Sequence, residues 1–168
     1  MDSHAIPGLR PIRREDEPAV ISLIDRCYRQ YALILNLDDE CEQHLRDPGA
    51  YFRSHGGDFW VVDDGDGGII GTAALYVHSD QQPPLGELKS MYVDPARRRQ
   101  GLGSRLTRMV MGRARAAGCR EMELWSDTRF DAAHAMYESL GFRRIGRRDL
   151  ADSNNSAEFG FRRALDPA

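Results

Sequence analysis

The stretch Glu87–Leu106, ELKSMYVDPARRRQGLGSRL, decides how the rest of the chain is read. With the two residues before it, its first part is LGELKSMYV, rich in Leu, Met, Tyr and Val, and it reads as a strand. Asp94-Pro95 stops the strand, because proline lacks a ladder N–H and biases the residue before it away from helix. Arg97, Arg98 and Arg99 follow at once, and Gly101 and Gly103 then let the backbone turn with no Cβ in the way. From Leu102 the apolar residues Leu102, Leu106, Met109, Val110, Ala114 and Ala117 fall at helical spacing, and Gly118 is a stop.

Strand, turn, Arg- and Gly-rich loop, then helix is a layout for an anion. The first turn of a helix has unpaired N–H groups and about half a unit of positive charge. Glycines let a phosphate oxygen approach those groups, and arginines add forked donors. A phosphate or pyrophosphate is the ligand this implies. Equally, a Gly-x-Gly ahead of a helix can be a plain tight turn, and arginines there a solvated face. The Walker A loop is excluded, because it needs Gly-Lys-Ser/Thr and the only lysine, Lys89, precedes the loop. The dinucleotide fingerprint is excluded because Leu106 stands where its third glycine belongs.

Composition narrows the class. At 168 residues the chain reads as one domain over 1–168 with an ordered core of about 9–163, able to bury ~70% of its unfolded surface. A formal charge of −3 offers no net basic field for nucleic acid. No apolar run approaches the ~20 residues that span a bilayer, and MDSHAIPGLRPIRRED holds no apolar signal core. Cys27, Cys41 and Cys119 are odd in number and widely spaced, which implies reduced thiols in the cytoplasm and neither a disulfide framework nor a metal site.

Along the chain, residues 1–7 read as a loose end and 9–13 as a short strand. A helix follows, with Arg14-Glu15-Asp16-Glu17 at its positive end and Val20, Leu23, Ile24, Cys27, Tyr28 and Tyr31 on one face. A second short helix covers 38–46 and is closed by Asp47-Pro48-Gly49; 50–57 adds a helical turn. Strands at 58–62 and 69–77 form a hairpin. Its acidic, glycine-rich turn lacks the alternating ligands and closing glutamate of a calcium loop. After the central strand and helix come a strand at 119–126, a helix at 131–140, a strand at 142–146, a polar loop at 147–156 and a last strand at 157–163.

The order is β-α-α-β-β-β-α-β-α-β-β. A strand–helix–strand crossover amid hairpins predicts an α/β (α+β) fold, a mixed and mostly antiparallel sheet with helices on both faces. Arg98-x-x-Gly101-x-Gly103 and, further on, AHAMYESLGF (133–142) match two signatures of the GNAT superfamily of N-acetyltransferases, Gln/Arg-x-x-Gly-x-Gly/Ala and A-x-x-x-Tyr-x-x-x-Gly-Phe. The chain resembles that family over about residues 9 to 163.

The resemblance implies acetyl-CoA as cosubstrate and an amine as acceptor. It implies a splayed pair of parallel strands and loop amides on the pyrophosphate, from Arg98, Arg99, Gln100, Gly101, Leu102, Gly103 and Ser104. A bulge near Met91, Tyr92 and Val93 is expected to seat the pantetheine arm and supply an oxyanion N–H. Tyr137 is the implied acid for the leaving thiolate, although its place on an apolar face also suits simple packing. Glu87, fourteen residues before Gly101, matches a glutamate that some members use as base; it also reads as an ordinary strand-end residue.

One departure stands at Phe130, where many members carry an asparagine on the cofactor. That contact does not carry over, which leaves Asp127 or Thr128 to cap the helix. His134, one turn before Tyr137, reads mainly as a helix-surface residue. The resemblance implies an acceptor site between Tyr28–Asp39 and Arg147–Ser156, with Tyr31, Asn36, Asp38 and Asp39 available to a cationic amine, although the same four residues read equally well as solvated loop residues. A homodimer is a further expectation from the family. The competing reading is a CoA-binding regulatory module without catalysis, and an unrelated nucleotide-binding module is a distant third.

Overall fold

The computed structural model describes residues 5–166. Among them, seven strands form one sheet: β1 (Leu9–Pro11), β2 (Asp58–Asp63), β3 (Ile69–His78), β4 (Leu85–Val93), β5 (Glu121–Asp127), β6 (Arg143–Asp149) and β7 (Ala157–Ala164). Their spatial order is β1-β2-β3-β4-β5-β7-β6. Four α-helices accompany them: α1 (Glu17–Arg29), α2 (Pro48–Ser54), α3 (Leu102–Ala116) and α4 (Asp131–Ser139). Every pairing is antiparallel except β4 with β5. The predicted mixed sheet and its crossover are therefore observed.

Alternation along the strands builds two cores. In β2, Phe59 and Val61 face one side and Trp60 and Val62 the other, as a period of two requires. The first side is closed by α1 and α2 through Val20, Leu23, Ile24 and Phe52. The second is closed by α3 and α4 through Leu102, Leu106, Val110, Ala114 and Tyr137. At Gly86 on β4 a Cβ would stand 3.0 Å from the Ala114 Cβ, so this glycine lets α3 lie close on the sheet.

Several boundaries differ from the sequence expectation. Of the terminus read as loose, residues 1–4 lie outside the described residues, whereas Ile6 is buried in the core. Residues Glu40–Arg46 form a 3-10 helix, a weaker element than the helix expected there. Asp47-Pro48-Gly49 opens α2 instead of closing its predecessor: Asp47 accepts from the Ala50 N–H at 3.1 Å, with Pro48 in the first turn, where a missing N–H costs nothing. The final hairpin is longer than expected, since β6 runs three residues past Gly146.

Two backbone features prepare the site. Pairing of β4 with β5 covers Leu85–Leu88 against Glu121–Leu124 and stops there, so the two strands splay beyond it. Within β4, Ser90 adopts φ +49°, the register to β3 shifts between Thr72 and Ala74, and the Ser90 carbonyl accepts from the Thr72 hydroxyl at 2.7 Å. This is the expected bulge, and it re-aims the strand's last residues.

Candidate active site

The splay opens two adjoining spaces. The larger, a cleft of about 470 Å³, runs from the end of β4 to the start of α3. Met91, Tyr92 and Val93 line it from the strand, Arg98 and Arg99 from the loop, and Gly101, Leu102, Gly103 and Ser104 from the turn into the helix. Gln100 alone of the expected cofactor residues is not on its wall. Arg97 joins the other two arginines, and no carboxylate among the described residues lines the cleft. Gly101 is left-handed at φ +75°, a conformation that a side chain resists, and the first turn of α3, with its unpaired N–H groups, lines the cleft's end. Arg98 is anchored by bonds to the Val93 carbonyl at 3.3 Å and to Gln30. Amides at a helix start, three guanidinium groups and no opposing charge on the wall make a site for a diphosphate.

The smaller space, about 130 Å³, lies where β4 and β5 part, beneath the 3-10 segment and the β6–β7 loop. Five carboxylates line it, Glu42, Glu87, Asp127, Asp152 and Glu158, against the cations Lys89 and Arg148. His44 also lines it; burial first, then Lys89, lowers its pKa to about 4, so it is neutral at pH 7. Met91, Tyr92 and Phe130 belong to the walls of both spaces, which therefore meet at the β4 bulge.

Tyr137 lines the smaller space and is 4% exposed. Its ring packs on Phe142 and Phe161, with centroids 5.9 and 6.0 Å away. Burial raises its pKa, with no hydrogen bond among the causes. The phenol is thus a protonated donor left without a partner among the described residues. The packing and donor readings of Tyr137 are compatible, because the ring fills the core while the hydroxyl reaches the cavity.

Glu87 is 8% exposed and opens on the same space. Both of its oxygens are engaged: His78 Nε2 lies 2.8 Å from one and Lys89 Nζ 3.4 Å from the other. Glu42, which sequence reasoning passed over, accepts from the Tyr28 hydroxyl, and that hydroxyl lies 3.2 Å from the Tyr92 hydroxyl. No signal in the sequence separates Glu42 from the other acids of its segment.

Other expectations need revision. Asn36 and Asp39 tie the α1–α2 connection to the β6–β7 loop: Asn36 donates to the Ser153 hydroxyl at 2.9 Å, and Asp39 accepts from the Ser153 N–H at 2.9 Å. Asp38 pairs with Arg46. These three residues clasp loops, while Tyr31 lines the cofactor cleft. His134 is buried at 4% exposure, hydrogen-bonded to Ser126 at 3.2 Å, and sits on neither wall. Phe130 occupies the N-cap of α4 without a side-chain cap; Asp127 accepts from the Arg129 N–H at 2.9 Å, one step ahead of the helix. The Phe130 ring packs on Tyr31 at 4.8 Å.

Comparison with known proteins agrees with this geometry. Residues 18–142 match the model of the Acetyltransferase (GNAT) family. The chain is 28% identical over 140 residues to the uncharacterized N-acetyltransferase YjgM of Escherichia coli K12, covering 83% of each. It spans under half the length of the longer curated relatives it also matches. A GNAT-family acetyltransferase from Staphylococcus aureus Mu50 superposes with a TM-score of 0.80 at 21% identity, over 94% of this chain and 98% of that one. The acetyltransferase yncA from Salmonella typhimurium, solved with its cofactor acetyl-CoA, gives a TM-score of 0.71 at 20% identity, over 95% and 94%.

Proposed function

The chain belongs to the GNAT acetyltransferase family and is an N-acetyltransferase with acetyl-CoA as cosubstrate, and from that premise we propose that it acetylates a small, positively charged primary amine by direct attack within one ternary complex. The observation that carries this reading is the opposite charge of the two adjoining spaces. A cleft lined by arginines and helix-start amides suits the diphosphate of the cosubstrate. The acidic cavity beyond the β4 bulge suits a cationic acceptor, and the two spaces share Met91, Tyr92 and Phe130, where thioester and amine meet.

Three tasks follow from the chemistry. The ammonium must give up a proton before its nitrogen has a lone pair to attack with, and an alkylamine holds that proton up to pH ~10.4. The resemblance assigns this task to Glu87, directly or through water. The oxyanion requires a donor, which the resemblance places among the backbone N–H groups of Met91–Val93, beside the bulge. The departing thiolate takes the proton of Tyr137, the buried phenol without a protein partner among the described residues.

Free thiols at Cys27, Cys41 and Cys119 fit a reducing compartment, and we assign the enzyme to the cytoplasm on that ground. No helix among the described residues is long and apolar enough to cross a membrane. The test is calorimetric titration with acetyl-CoA, followed by thiol release on adding short alkylamines from ethylamine to putrescine. Binding with amine-dependent thiol release is expected. Binding with no release from any of these amines would favour a regulatory CoA-binding module instead.

A further inference from the structure

We infer that the amine's proton goes to Glu42 rather than to Glu87, with Tyr28, itself hydrogen-bonded to Tyr92, holding the Glu42 carboxyl in place. The inference rests on the acetyl-transfer reading above and deepens it. Glu87 has both oxygens occupied, by His78 Nε2 at 2.8 Å and by Lys89 Nζ at 3.4 Å, so an incoming ammonium would have to compete with two donors already in place. Glu158 is paired with Arg148 at 2.7 Å, and Asp127 faces Arg129 at 3.5 Å. Asp152 accepts from the Ser156 N–H at 2.7 Å and holds its own loop. Glu42 is the cavity carboxyl whose one hydrogen bond comes from a phenol and which has no ion-pair partner among the described residues.

Its surroundings favour the task. Facing Glu42 are Tyr28 from α1, Tyr92 and Lys89 from β4, Glu158 from β7, Asp152 from the β6–β7 loop, and on its own segment Cys41 and His44. Burial, opposed by the Tyr28 hydrogen bond, pushes the carboxyl up to about 7. Transfer from an alkylammonium is then roughly 300-fold more favourable than transfer to an ordinary glutamate. Burial also raises both phenols, so Tyr28 and Tyr92 stay protonated and act as donors. Tyr92 lines both spaces, so the chain Tyr92–Tyr28–Glu42 runs from the β4 bulge into the acceptor cavity.

The step balances as follows. The Glu42 carboxylate accepts one proton from the ammonium. The free amine forms the C–N bond to the thioester carbonyl as the C–S bond breaks. The thiolate takes the Tyr137 proton, and the second proton leaving nitrogen returns through water to Tyr137. Glu42 releases its proton to solvent, so one proton is liberated for each acetyl group moved.

The test compares wild type with Glu42→Gln, Tyr28→Phe and Glu87→Gln, using putrescine and methoxyamine as acceptors. Methoxyamine is unprotonated at neutral pH and needs no base for its first proton. For putrescine, Glu42→Gln is expected to lower kcat/KM by about 100-fold and to abolish the acid limb of its pH profile near 7. For methoxyamine the loss should fall below about 5-fold. Tyr28→Phe removes a bond that stabilises the carboxylate, so its acid limb should move to higher pH. Acetyl-CoA affinity, measured by calorimetry, should match wild type in Glu42→Gln. An acid limb that survives Glu42→Gln, or that vanishes in Glu87→Gln alone, overturns the inference and leaves the transfer reaction standing. A wild type that binds acetyl-CoA but acetylates neither probe removes the transfer reading itself, and the base with it.

Discussion

Replacing Glu42 by glutamine should change stability in a pH-dependent way that can be measured without any substrate. The carboxyl moves from an ordinary 4.5 to about 7 on folding, chiefly through burial. Between those values the native protein holds a proton that the unfolded chain has released. Native protein therefore binds more protons, and stability falls as pH rises through the window. From pH 5 to pH 8 the integrated loss is about 2.5 kcal/mol, trimmed to about 2 kcal/mol by solvent entering the open cavity. A glutamine side chain keeps an acceptor for the Tyr28 hydroxyl and does not titrate, so the variant escapes the loss. His44, lowered to about 4, makes stability rise with pH over the acid part of the range, but it does so in both proteins and cancels. Urea unfolding of both proteins at pH 5 and pH 8 reads the effect as a difference of differences, in which pH-independent packing changes also cancel. The Glu42→Gln variant should gain about 2 kcal/mol on wild type between the two pH values. A gap that is constant to within about 0.5 kcal/mol would show that the carboxyl titrates as it does in the unfolded chain, and the argument from burial would fall.

Three further outcomes are expected. Tyr137→Phe should lower kcat by about 100-fold or more while acetyl-CoA affinity, by calorimetry, changes less than about twofold, because the hydroxyl is needed only as the thiolate leaves. Gly101→Val should weaken acetyl-CoA binding at least about 10-fold, since a β-branched residue at φ +75° costs about 1–2 kcal/mol and turns the first-turn amides of α3 aside; unchanged affinity would detach the loop from the diphosphate. Gly86→Ala should cost about 1–3 kcal/mol in urea unfolding, because its Cβ would sit 3.0 Å from that of Ala114 and push α3 from the sheet.

Much of the fold is legible where periodicity is clean. Strand 85–93 and the start of α3 lie where the apolar pattern and the two glycines put them. The legibility fails where apolar pattern is absent. Strand β6, RRIGRRD, is expected only as far as Gly146; it is exposed along its whole length, so no alternation marks its last three residues. Its arginines instead lie over aromatic rings of the next strand and the one beyond it: Arg144 over Phe159 of β7 at 3.9 Å and Arg148 over Trp125 of β5 at 4.3 Å. Those contacts join residues distant in sequence, and only pairing with β7 brings them together. His134 misleads for a related reason: on a short amphipathic helix it occupies a core position, where burial lowers its pKa.

What the chain's order determined by itself is the anion end of the site. Backbone groups at a glycine turn and neighbouring arginines are local in sequence, so the run RRQGLGS, residues 98–104, carries them whole. The acidic cavity is different. Tyr28, Glu42, Glu87 with Tyr92, Tyr137 and Asp152 come from five separate segments of the chain. Whether each carboxyl is paired, shared or left free depends on which cations the fold sets against it. His78 and Lys89 bond to Glu87, whereas the partner of Glu42 is a neutral phenol. Charge environment is a property of distance in space, and it is the packing of β3, α1 and the 3-10 segment around β4 that sets those distances.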